Sequence, residues 1–127
     1  MVEWINYIDL EVSFEEIEKK IGTGLPSDFK EILKKYNKGM PKPNKFSIAD
    51  GKLVEFSQLL SFNTDEKLTA YSCMTSEMKE QKIIPFAVTK NNNFLCLKSN
   101  NIILYNIEHN AEKFVCDTFT ELLSKLK

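Results

Sequence analysis

His109 is the single histidine of this 127-residue chain, so it is the first place to look for a general base. A catalytic histidine needs an oriented partner and a nearby nucleophile or metal. The sequence places Glu108 and Glu112 beside it in "IEHNAEK". Neighbours in a polar stretch between two strand-like runs read more simply as a solvated turn. The thiols are Cys73, Cys96 and Cys116. They are scattered, form no C-x-x-C, and have no histidine at metal-ligand spacing. Cys96 in "NFLCLK" and Cys116 in "KFVCD" occupy strand-like positions, where a free cysteine behaves as a small apolar residue. An odd, scattered set also fits a reducing compartment.

The stretch "IGTGLPSDFKEIL" raises a phosphate cradle as a second possibility. Its glycines lack both the G-x-x-x-x-G-K-[ST] and the G-x-G-x-x-G spacing, and they follow a helix rather than a strand. A helix–corner–helix therefore explains them better than an anion site. Glu15, Glu16 and Glu18, followed by Lys19 and Lys20, make a charge gradient along a helix face. The tract "KKYNKGMPKPNK" holds five lysines around Tyr36 and reads as a helix end and a loop, with a modest basic patch as the alternative. No catalytic, cofactor-binding or metal-binding residue is assigned.

The bulk numbers narrow the partners. The net charge is -1, which offers no field for nucleic acid or anionic lipid. All 17 cationic residues are lysine, so bidentate arginine recognition of phosphate or bases has no donor. No run approaches a membrane span, and "MVEWINYIDLEVS" lacks a basic leader region. The expectations are a cytoplasmic protein, one domain over residues 1–127, no cofactor, and no direct nucleic-acid or membrane partner.

The elements that must position any surface can be read along the chain. "EWINYI" is a short helix or an edge strand. Ser13 and Glu16 mark a capping box before a helix that Gly22 stops, with Val12 and Ile17 in the staple positions. A second helix begins at Pro26, carries Phe29, Ile32, Leu33 and Tyr36 on one face, and ends at Gly39 before Pro41 and Pro43. Asp50-Gly51 in "KFSIADGKLVEF" marks a hairpin, and "SQLLSFN" extends its second strand or bends away. Residues 64–80 read as a third helix, with Leu68, Tyr71, Met74 and Met78 near one face. "KIIPFAV", "NFLCLK", "NIILYNI" and "KFVCD" are strands joined by asparagine-rich turns. A last helix starts at Thr118, with Glu121 completing its capping box and Phe119, Leu122, Leu123 and Leu126 on one stripe. This order predicts an α+β fold: a mostly antiparallel sheet with helices on one face and the other face partly open.

At this point the chain resembles the SUKH superfamily, the Smi/Knr-type domains. Gly22, Leu25, Pro26, Phe29, Leu33, Tyr36, Asn37 and Gly39 match its helix–corner–helix. Ile84, Pro85, Phe86 and Ala87 match the strand before its central turn, "NFLCLK" the strand after, and "TFTELLSKL" its last helix. Asn91-Asn92-Asn93 replaces the usual Gly-Gly-Asn, and Lys98 stands where an acid is common. No functional role is carried over to that turn. The resemblance implies a non-catalytic domain, similar to bacterial immunity proteins that bind and neutralise a cognate toxin domain, often a nuclease, of a polymorphic or contact-dependent system. It implies a monomer or weak homodimer. The alternatives are a regulatory or scaffold domain of the same superfamily, and a small hydrolase using His109 or a cysteine. The toxin-binding residues are unknown from the sequence; exposed aromatics and acids on the open sheet face and its loops are the expected contacts.

Overall fold

The structure, a computed structural model, describes residues 2–8, 12–48, 51–62, 69–90 and 93–127. Its sheet-forming runs are β1 (Glu3–Ile5), β2 (Met40–Lys42), β3 (Lys45–Ser47), β4 (Leu53–Leu59), β5 (Ile84–Thr89), β6 (Phe94–Lys98), β7 (Asn101–Asn106) and β8 (Ala111–Cys116). The helices are α1 (Phe14–Ile21), α2 (Ser27–Lys35), α3 (Ala70–Cys73), α4 (Ser76–Gln81) and α5 (Phe119–Lys125). Strands β3 to β8 form one antiparallel sheet in sequence order, and β1 pairs with β2 in a separate ribbon. The fold is α+β, with a curled antiparallel sheet packed against helices.

Each helix boundary has a local cause. Ser13 Oγ accepts the Glu16 N–H at the start of α1, and Gly22 ends it at φ 77°. Pro26 is the N-cap of α2 rather than its first helical residue. The helix ends at Tyr36, earlier than Gly39. Lys38, not Gly39, takes the left-handed backbone (φ 62°). Gly39 answers a different need, since a Cβ there would lie 2.8 Å from Tyr36 O and 3.2 Å from Trp4 Cε3.

The helix expected over 64–80 is not continuous. Residues 63–68 lie outside the described set, and the rest forms α3 and α4. Thr69 caps α3 by accepting the Ser72 N–H, and Thr75 caps α4 by accepting the Met78 N–H. Met74 and Thr75 are extended, so the apolar spacing crosses a fresh cap. "EWINYI" resolves as β1, whose partner "MPK" (β2) was hidden by two prolines expected only to stop a helix.

The hairpin between β3 and β4 is present, with Ile48 N donating to Lys52 O and Gly51 at φ 83°. That leaves three residues in the loop, of which Ala49 and Asp50 lie outside the described set. Ser99 (φ 51°) and Asn100 (φ 70°) make the two-residue turn between β6 and β7. The turn "TKNNN" is described only in part, because Asn91 and Asn92 lie outside the described set. Pro85 sits within a strand at a register shift, where a missing N–H is tolerated.

The core is aromatic. Phe29 of α2 contacts Phe86 of β5 and Phe119 of α5 at ring-centroid distances of 5.3 and 5.2 Å, and Phe86 meets Phe119 at 5.6 Å. These three rings clamp two helices onto one sheet face. The opposite face is less open than expected. Met78 of α4 packs with Ile83, Cys96, Ile103 and Tyr105 over its middle. Phe114 on β8, 55% exposed, remains uncovered there.

Candidate partner-binding groove

The residues singled out for chemistry do not converge. His109 is exposed in the β7–β8 turn. Its neighbour Glu112 is engaged by Lys98 Nζ at 2.6 Å. Cys96 and Cys116 are buried as expected, and Cys73 is half-buried. Burial holds the Cys96 thiol well above the ordinary range. Burial, with Glu121 adding, pushes Cys116 up to about 11. Burial also raises Cys73. Raised pKa values keep these sulfurs as thiols at neutral pH, the form that does not attack. Among the described residues no group of three or more His, Cys, Asp and Glu side chains could hold a metal ion.

The glycine corner is a structural joint. Glu18 Oε2 accepts the Leu25 N–H at 2.6 Å and lies 3.0 Å from Lys30 Nζ. The anion bound at this turn is thus the protein's own carboxylate. The Leu25 N–H foremost, and Lys30 next, hold the Glu18 carboxyl below its ordinary value. From the other side, Lys82 Nζ donates to Gly22 O at 2.8 Å. The corner sets α1 against α2 and ties both to the end of α4.

What the corner positions is a groove of about 530 Å³ between α2, α5 and β1. Ile32 and Tyr36 of α2 form one wall, Leu123 and Leu126 the other, and Val2 and Trp4 close the end. Glu31, Lys35 and Ser124 supply its polar lining. The rings are organised: Trp4 stacks on Tyr36 at 5.8 Å and an interplanar angle of 15°, and Tyr7 meets Tyr36 edge-on at 5.1 Å. Tyr7 is 48% exposed, while Trp4 is buried at 7%. Asp28 holds the two walls together, since its Oδ2 accepts both the N–H and the Oγ1–H of Thr120, each at 2.9 Å.

Tryptophan and tyrosine in a concave, rigid setting are the side chains that most often anchor a protein partner. The arrangement offers apolar burial with charged residues beside it, a lining suited to binding.

A profile of the SMI1/KNR4 family (SUKH-1) matches residues 10–125. The chain belongs to this family. No curated protein matches it. In this SUKH-1 chain the matched span contains Ile32, Tyr36 and Leu123 of the groove's two walls, whereas Val2, Trp4 and Leu126 lie outside it. No helix among the described residues is long and apolar enough to cross a membrane.

The groove was missed in the sequence because its walls come from opposite ends of the chain. Its one signal was the aromatic spacing of Trp4, Tyr7 and Tyr36, read there as separate elements. Among the described residues, the expected open sheet face contributes Phe114 and Leu53, the latter alternating with the core-facing Val54 and Phe56, as large exposed apolar side chains.

Proposed function

We propose that this SUKH-1 domain is a cytoplasmic immunity protein. It binds the toxic domain of a polymorphic or contact-dependent toxin stoichiometrically and neutralises it without catalysis. The observation that carries the binding reading is the aromatic-floored groove between α2 and α5, held rigid by Asp28. A stable complex needs roughly 800 Å² from each partner, more than the groove alone. The groove therefore supplies the central anchor, and the exposed α2 face and Tyr7 supply the surround. The protein acts as a monomer or weak homodimer.

The test is co-expression with the toxic domain encoded beside this gene. Growth is expected to recover with the wild-type protein and with His109→Ala. It is expected to fail with the groove variant Ile32→Glu, provided circular dichroism shows that variant folded. Growth arrest despite well-folded wild-type protein sinks the immunity reading for that pair. Loss of protection in His109→Ala, with a measurable turnover that disappears in parallel, would instead revive a hydrolase.

A further inference from the structure

A second hollow, about 380 Å³, lies along α2 beside the groove. Phe14 and Ser27 line it with Lys30, Glu31, Lys34 and Lys35. Glu31 and Lys35 belong to both concavities, so α2 is a ridge shared by two apolar-floored depressions. Lys30 is committed to Glu18 at 3.0 Å. Lys34 and Lys35 are exposed, and no ion pair of the described residues engages them. The chain as a whole carries a net charge of -1, so this ridge is a local excess of cations rather than the bulk charge. A helix C-terminus favours lysines in its last turn. That preference does not account for apolar hollows on both sides of them.

We propose that the α2 ridge and its two concavities form one docking surface for a protein segment that presents an apolar side chain flanked by carboxylates. The apolar anchor enters the groove against Trp4, Tyr36 and Leu123. The carboxylates meet Lys34 and Lys35 on the ridge, where charge complementarity speeds encounter and fixes orientation. This deepens the toxin-binding reading and rests on it for the partner being a protein.

Trp4 is the only tryptophan and lines the groove, so its emission reports occupancy directly. Short random peptides displayed on phage are selected on the intact protein, and the winners are sequenced and titrated. The expected winners carry an aromatic or aliphatic residue between Asp or Glu. They shift Trp4 emission and bind about tenfold or more weakly to the Lys34→Glu, Lys35→Glu double variant. Lys19→Glu, an exposed control on α1, leaves their affinity unchanged.

Winners without acidic bias, winners that leave Trp4 emission unmoved, equal binding to the double variant, or no enrichment overturn the proposal. A Trp4 shift with phosphatidylglycerol vesicles that exceeds the peptide response overturns it in favour of an anionic lipid surface. Failed protection against a toxin alongside acidic-peptide selection defeats the immunity reading alone. Protection without that selection defeats the acidic-segment proposal alone.

Discussion

Glu18 shows how one residue can decide between chemistry and architecture. The corner that follows its helix has glycines without an anion-site spacing, and the Glu18 carboxylate accepts the Leu25 N–H there from within the chain. Because its folded pKa lies below the ordinary 4.5, its ionised form stabilises the fold. That contribution is complete above the unfolded-state value and fades as pH falls through the depressed folded one. Glu18→Gln is therefore expected to lower stability at pH 7 by about 1 kcal/mol, the worth of a charge-assisted bond discounted for solvent access. Urea unfolding at pH 7, repeated in steps below pH 4.5, should show the gap between variant and wild type closing. A gap that stays constant with pH would assign the effect to packing. The sequence identified the corner but not its anion: Glu18 stood among four charged neighbours, and only the fold of α1 against α2 brings it to the Leu25 N–H.

Among the elements, α2 and α5 carry the surface, and one carboxylate joins them. Asp28→Ala removes both bonds to Thr120 and leaves the first turn of α5 without that acceptor. A loss of about 1–2 kcal/mol is expected, as for a helix cap. Hydrogen exchange should show the Thr120 amide losing protection while the amides of β6 and β7 keep theirs. Uniform loss across the protein would mean that the bond supports the whole fold rather than the helix pair. Both helices were legible because their signals lie within the local sequence: Phe29 and Leu33 at one turn's spacing in α2, and in α5 Thr118 accepting the Glu121 N–H at 3.1 Å. The Glu121 carboxylate reaches Asp117 N rather than the cap's own N–H, so only half of the expected box forms as drawn. The α3–α4 break was illegible because Thr75 is followed at the third position by methionine, not the acid that makes a capping box easy to see.

At the scale of the whole molecule, the Phe29–Phe86–Phe119 triangle binds the sheet to the groove's two helices. Phe29 is fully buried, and Phe29→Ala is expected to cost about 3–5 kcal/mol. That is a large share of the roughly 5–15 kcal/mol typical of a folded domain. Thermal unfolding followed by far-ultraviolet circular dichroism checks it; a loss under 1 kcal/mol would show that the rings are not the clamp they form geometrically. The overall α+β arrangement followed from the order of helical and alternating segments. The groove did not, since no local period links Trp4 to Leu123. That separation has a consequence for synthesis. Domains take shape from the N-terminus as the ribosome proceeds, yet one groove wall is α5, which is translated after every other element described. Until α5 has emerged and closed on Asp28, α2 shows an apolar stripe with no opposite wall. A nascent or prematurely terminated chain would lack one wall of the groove, so any binding there would track finished molecules rather than translation started.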